Sequence, residues 1–159
     1  EEWGSTCYLS TPFFSENVIE KYKLDSLSNE IDNHLREYCS QLQYTMRKYS
    51  MISWFTLSKK GNYSHIHHHS PADISGIYYY KTSEKDGSLF FESPNPHLDS
   101  SRCYMGKYGE AWKHPPIEGK ILLFPGWLKH GVETNETDSK RISLSFNVTF
   151  QHYFQPGVL

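Results

Sequence analysis

The sequence predicts a mainly β protein, a sandwich, jelly roll or barrel of short strands, with one amphipathic helix laid against a sheet. Three observations carry that expectation. Aromatic residues make up 16% of the 159 residues, a bias toward bulky flat side chains that fill pleated surfaces. From residue 51 onward, short apolar or β-branched runs recur, each bounded by Gly, Pro, Asn or Ser. One segment ahead of them has a helical period instead.

That segment is 26–49, where Leu27, Ile31, Leu35, Tyr38, Leu42 and Met46 recur at steps of three and four, with Asp25, Ser26 and Ser28 as candidate caps. Its other face carries Asn29, Glu30, Asn33, Arg36 and Glu37, so the helix should lie on the outside of a sheet. The strands are expected at 51–57, 74–81, 88–92, 120–124 and 141–150. The last is the clearest. Ile142, Leu144, Phe146, Val148 and Phe150 alternate with Arg141, Ser143, Ser145, Asn147 and Thr149, which gives one apolar and one polar face. Between Pro94 and Pro116 the chain shows no clear period and is long for a connection in a compact domain, which reads as a functional loop or lid.

A chain of 159 residues is one domain's worth at the usual ~100–200 residues per domain, so 1–159 is expected to be a single domain. Sixteen basic and eighteen acidic side chains leave a net charge of −2 without a long run of either sign, which excludes a large electrostatic footprint for nucleic acid or anionic lipid. No stretch approaches the ~20 apolar residues of a membrane span, and Glu1 and Glu2 have the wrong charge for a secretory n-region. Cys7, Cys39 and Cys103 are too few, too far apart and odd in number for a disulfide framework or a zinc knuckle. The expectation is a soluble cytoplasmic protein with no nucleic-acid or membrane partner.

Four of the nine histidines fall in Ser64-His65-Ile66-His67-His68-His69-Ser70. Side chains alternate faces in an extended chain, so His65, His67 and His69 share a side while His68 points away, and two imidazoles at i and i+2 can grip one metal. A histidine patch on an exposed loop would bind metal only adventitiously, so a second feature has to decide. It comes in the run Ile121-Leu122-Leu123-Phe124-Pro125-Gly126-Trp127-Leu128-Lys129-His130-Gly131, a buried strand and turn ending in one histidine. Eleven residues later stands Arg141-Ile142-Ser143, and His130 itself lies 61 residues after His69.

In this order, the His-x-His pair, the distal histidine and the Arg-x-Ser resemble the 2-oxoglutarate/Fe(II) oxygenases over about 51–150. More narrowly, the His pair followed by Ile74-Ser75-Gly76-Ile77-Tyr78-Tyr79, then Phe124-Pro125-x-Trp127-x-x-His130 and Arg141-Ile-Ser-x-Ser-Phe-Asn147, resembles a branch found in bacteria and phages. The resemblance implies a double-stranded β-helix, that is a jelly-roll, cupin-like barrel over about 51–150, with the N-terminal helix of about 26–49 packed outside. It implies the cofactors Fe(II) and 2-oxoglutarate, with O2 and a small-molecule or protein substrate as partners. The implied reaction is decarboxylation of 2-oxoglutarate to succinate and CO2, coupled to hydroxylation of a substrate C–H bond.

Within that resemblance His67, His69 and His130 are the metal ligands, as three side chains on one face with open positions opposite them for a 2-oxo acid and O2. The departure is His69, where the wider superfamily has Asp or Glu. Asp73 or His65 are the alternatives for completing the set. Arg141 offers a guanidinium fork for the distal carboxylate of 2-oxoglutarate, Ser143 can add a hydroxyl on the same face, and Tyr79 matches a position where related hydroxylases place a tyrosine against the cofactor. Trp54 and Asn147 are candidates for the pocket wall, although Trp54 is assigned first to the core. Trp127 is expected to fix the turn that aims His130. Segment 95–116, with His97, Arg102, Tyr104, Lys107, Tyr108, Trp112 and His114, is expected to border the substrate mouth and to favour a polar or anionic substrate. Two other classes compete: a metal-binding jelly roll without turnover, and a three-histidine cupin-type oxygenase without 2-oxoglutarate. Neither needs the Arg141-x-Ser143 clamp.

Overall fold

The computed structural model describes residues 6–11, 16–46, 48–95 and 112–151. Its elements in chain order are β1 (Tyr8–Leu9), α1 (Val18–Lys21), α2 (Asp25–Gln41), β2 (Tyr49–Ser58), β3 (Ser64–His67), β4 (Ile74–Lys81), β5 (Leu89–Phe91), β6 (Lys113–His114), β7 (Ile121–Pro125), β8 (His130–Val132) and β9 (Arg141–Phe150). The strands form a five-stranded sheet in the order β1-β2-β9-β4-β7 and a four-stranded sheet in the order β3-β8-β5-β6, with every ladder antiparallel. This is the jelly-roll, double-stranded β-helix architecture, with both helices outside it. Among the described residues no helix is long and apolar enough to cross a membrane.

The long helix is shorter than its periodicity predicts. It stops at Gln41, eight residues before the expected end. Gln43 takes a positive φ of 56°, and the N–H groups of Gln43 and Tyr44 bond back to the carbonyls of Ser40 and Cys39 at 3.0 and 2.9 Å, which caps the final turn. Leu42 is accordingly exposed, at 64%, although it fits the apolar series, and Met46 reaches the core from beyond the helix. The short α1 is tied to the sheet through its N-cap. Asn17 Oδ1 accepts from the Glu20 N–H at 3.4 Å and from the Ser53 hydroxyl at 2.7 Å, and Ser53 in turn accepts from the Ile19 N–H.

The two helices decide how β9 is read. Leu144, Phe146, Val148 and Phe150 point outward from the barrel and pack under Val18, Ile19, Ile31 and Leu35, all buried. Full burial of a Leu or Ile contributes about 1.5–3 kcal/mol, so Ile31 and Leu35 anchor the layer. With its apolar face covered, β9 turns Arg141, Ser143, Ser145 and Asn147 toward the space between the sheets. A smaller cluster of Ile77, Tyr79, Leu89 and Phe124 fills part of that space. Gly76 is required by this packing, because a Cβ there would overlap the Phe146 ring.

Candidate metal centre and cofactor pocket

His67 closes β3 and lies directly across the ladder from His130, which opens β8. His69 stands in the connection to β4, and its position is set by backbone stitching. The His69 N–H donates to the Gly126 carbonyl at 2.8 Å, and the Gly126 N–H donates to the Asp73 carbonyl at 3.0 Å. Only glycine fits at 126, since a Cβ would run into the Ala72 carbonyl oxygen. One turn therefore holds the loop of His69 beside the strand of His130.

The ligand atoms of His67, His69 and His130 all lie within 4.8 Å of one another. Their ring centroids are separated by 4.9 Å (His67 to His69), 4.5 Å (His67 to His130) and 5.0 Å (His69 to His130). In two of the three rings the tautomer follows from the neighbours. His67 Nδ1 is 2.8 Å from the His65 carbonyl oxygen and His130 Nδ1 is 2.8 Å from that of Leu128. A carbonyl can only accept, so Nδ1 carries the proton in both and Nε2 is left as a lone-pair donor. Burial, the largest cause, lowers the pKa of all three imidazoles; with the neighbouring histidines adding to it, His69 falls to about 3 and His130 to about 4. Three neutral, convergent imidazoles suit a divalent cation, and the residues present fit Fe(II). The two alternative ligands stand elsewhere. His65 Nε2 is 3.3 Å from the Tyr63 hydroxyl on an exposed face, and Asp73 Oδ2 accepts the Phe150 N–H at 2.7 Å.

These rings open into a cavity of about 410 Å3 between the sheets. The polar face of β9 forms its wall, with Ser75 and Ile77 of β4 and Trp54 of β2. Trp54 is 4% exposed and its ring lies 5.8 Å from that of His69, so the side chain belongs to wall and core at once. Arg141 is 2% exposed. One of its terminal nitrogens donates to the carbonyls of Asp86 and Gly87, at 3.1 and 2.7 Å, and its Nε has no partner. The Asp86 carboxylate is turned to its own loop, accepting from the Thr82 hydroxyl and the Ser83 N–H. Among the described residues no carboxylate lies within ion-pair distance of Arg141, and a buried cation in that condition is expensive unless an anion joins it.

Ser143 is 1% exposed and lines the cavity. Tyr79 lies across the ladder from Ser143 and packs among Ile77, Leu89 and Phe124, which line the cavity; burial raises its pKa to about 12, against the pull of the nearby Arg141 guanidinium. Trp127 does not aim His130: it is 58% exposed, and the Leu128 carbonyl and the rings of Phe124 and Phe91 (4.7 and 6.1 Å) surround the imidazole instead. In the expected substrate-mouth segment, His97, Arg102, Tyr104, Lys107 and Tyr108 lie outside the described residues. His114, on β6, stacks edge-on with Phe91 at 5.6 Å. Sequence reasoning missed Ser75, whose hydroxyl donates to Asn147 Oδ1 at 2.8 Å. The alternation Ser75, Ile77, Tyr79 was the signal that could have found it.

Comparison with curated proteins returns no match. Among solved structures the fold is similar to a prolyl-4-hydroxylase from Pseudomonas putida, with a TM-score of 0.59 and 15% identity over 94% of this chain and 73% of that one. It is also similar to the viral collagen prolyl hydroxylase of Paramecium bursaria Chlorella virus-1, solved with 2OG, with a TM-score of 0.52 and 13% identity over 92% of this chain and 78% of that one. A prolyl hydroxylase from Trichoplax adhaerens, solved with a hypoxia inducible factor peptide fragment, gives 0.55 and 16% over 79% and 56%. At these identities the likeness speaks for the fold. A family model matches residues 52–147, more than half of the chain, and covers both histidine motifs and Arg141. The chain belongs to the family described as "Putative 2OG-Fe(II) oxygenase", oxidoreductases whose cofactors are Fe(II) and 2-oxoglutarate.

Proposed function

We propose that this protein is a 2-oxoglutarate- and Fe(II)-dependent dioxygenase of the hydroxylase type, with Fe(II) on His67, His69 and His130 and the distal carboxylate of 2-oxoglutarate on Arg141 and Ser143. The observation that carries the reading is the unpaired, buried Arg141 guanidinium in the same cavity as three convergent neutral imidazoles. Bound together, the two cofactors supply the oxidation of a substrate C–H by O2, in which 2-oxoglutarate, O2 and R–H become succinate, CO2 and R–OH.

The chain's own share is binding, orientation and exclusion of water. The Nδ1–H groups of His67 and His130 stay on backbone carbonyls, which keeps both rings pointed at the metal position without a protonation change. The guanidinium of Arg141 is braced on one side by Asp86 and Gly87, leaving the rest of the fork for a carboxylate. Ser143 adds a hydroxyl donor from the same face. Trp54, Ile77 and Phe124 give the cavity apolar walls that hold bulk water off the reacting centre. We place Tyr79 beside this clamp, across the ladder from Ser143 and close enough to the Arg141 guanidinium to feel its charge, with its hydroxyl as a further donor to the cofactor carboxylate.

An all-histidine ligand set also suits an oxygenase that uses no 2-oxo acid, and the buried cation of Arg141 separates the two readings. Anaerobic titration of the Fe(II) protein with 2-oxoglutarate tests the proposal. The expected result is a saturable visible charge-transfer band at one equivalent of cofactor. A protein that binds Fe(II) stoichiometrically and gives no band leaves a metal-binding module or a three-histidine oxygenase.

A further inference from the structure

We propose that the part of the cavity outward from the histidines is a substrate subsite for a carboxylate, with the side-chain amide of Asn147 as its donor. This rests on the cofactor reading above and adds the charge class of the substrate.

The first observation is the Ser75–Asn147 contact. The two residues face each other across the β4–β9 ladder, both are buried, and the Ser75 hydroxyl donates to Asn147 Oδ1 at 2.8 Å. The acceptor half of the amide is therefore taken up inside the wall. With Oδ1 engaged by Ser75, the half of the amide left for a ligand in the cavity that Asn147 lines is the NH2, a pure donor.

The second observation is position. Arg141 and Asn147 are six residues apart on β9, about 20 Å between their Cα positions at ~3.3 Å per residue, so the two side chains serve opposite ends of the same wall. The metal ligands stand near the Asn147 end, because Trp54, the ladder partner of Ser145, has its ring 5.8 Å from His69. A cofactor running from Arg141 to the metal thus leaves Asn147 uncovered. Around it lie Ile52, its ladder partner on β2, and Ser50 opposite Thr149, an apolar wall with two hydroxyls.

The third observation is charge. No acidic side chain is among the described residues that line the cavity, and the ligand set is imidazole throughout. Asp73, the nearest carboxylate in sequence to His69, holds the Phe150 N–H outside that wall. Fe(II), a 2-oxoglutarate dianion and the Arg141 guanidinium therefore leave one positive charge, where an Asp or Glu ligand would leave none. A half-buried site with a net positive charge and a fixed neutral donor favours an anion and repels an ammonium group. A carboxylate on the substrate meets both conditions.

Acetate and acetamide, close in shape and different in charge, are the probes. Each variant is first titrated anaerobically with 2-oxoglutarate, and the charge-transfer band of the Fe(II)·2-oxoglutarate protein is then followed as each probe is added. In the natural protein acetate is expected to shift the band saturably without displacing the cofactor, and acetamide to bind about tenfold or more weakly, as for loss of a charged hydrogen bond. Asn147→Asp keeps an acceptor for Ser75 but brings a negative charge. It should lose acetate binding by about tenfold or more with 2-oxoglutarate affinity changed much less. Ser75→Ala, which frees the amide to turn, should weaken acetate several-fold, and it serves if the first variant does not fold. Equal binding of the two probes, acetate binding that neither variant alters, or acetate that competes with 2-oxoglutarate overturns the subsite. No band in the natural protein overturns the cofactor reading instead, so the two failures are told apart.

Discussion

His130 Nδ1 stands 2.8 Å from the carbonyl oxygen of Leu128, two residues earlier on the turn that delivers the ring. His67 repeats the relation with His65, also at 2.8 Å. In both cases the residue two places back sets the tautomer, so local backbone leaves Nε2 of each ring as the lone-pair nitrogen.

Replacing His130 with Ala should abolish stoichiometric Fe(II) binding. The loss should exceed the ~10–100-fold typical of changes behind the ligands. Calorimetric titration under anaerobic conditions checks it, with circular dichroism to confirm the fold. Tight binding by the variant would remove His130 from the ligand set.

Arg141→Lys keeps the charge and loses the fork. Affinity for 2-oxoglutarate should fall about tenfold or more, in line with ~1.5–3 kcal/mol for charged hydrogen bonds, while Fe(II) affinity stays nearly constant. Band titrations on the two proteins measure both. Parallel loss of metal and cofactor binding would mean that Arg141 serves the fold through its bonds to Asp86 and Gly87.

Gly126→Ala should weaken Fe(II) binding without touching a ligand. The added methyl meets the Ala72 carbonyl and pushes apart the turn and the loop that bring His130 and His69 together. A drop of about tenfold is expected, comparable to other changes that disturb ligand orientation. Metal affinity equal to that of the natural protein would show that the stitching is dispensable.

Acid should destabilise the metal-free protein through the same imidazoles. His67, His69 and His130 have folded pKa values below 6.5, with His69 at about 3 and His130 at about 4, because burial opposes the charged form. As pH falls below 6.5 the unfolded chain takes up protons first, so the stability these groups contribute is full above that value and declines until pH reaches about 4 for His130 and about 3 for His69. Melting curves of the metal-free protein should show this decline, made shallower by His69→Asn. A melting temperature that the variant leaves equally steep would place the acid sensitivity elsewhere.

Much of this was legible in one dimension. Strands β2, β4, β7 and β9 were readable because each carries enough residues to show its period, and the three-residue β5 only because Gly87 and Ser88 on one side and Ser93 and Pro94 on the other bound its apolar run. The spacing of His67, His69, His130 and Arg141 survives in sequence because these residues lie at or next to strand ends. The short elements β1, β3, β6 and β8 were not, since two to four residues cannot display a period. The end of α2 was misread for a related reason. Leu42 continues the apolar series by chance, whereas the left-handed Gln43 that stops the helix is a matter of backbone conformation.

What the sequence determined by itself was the alternation along β9, with one apolar and one polar face. Which face is inside was a tertiary decision. Helices α1 and α2 cover the apolar face from outside, and the opposing sheet then encloses Arg141, Ser143, Ser145 and Asn147. Which of His65, His69 and Asp73 converges on His67 and His130 was a tertiary matter too. All three lie on one side of an extended chain, but only the loop held by Gly126 returns His69 to His67 and His130, while Asp73 is drawn to the Phe150 N–H. Periodicity records local geometry, and which groups meet depends on contacts between residues distant in the chain.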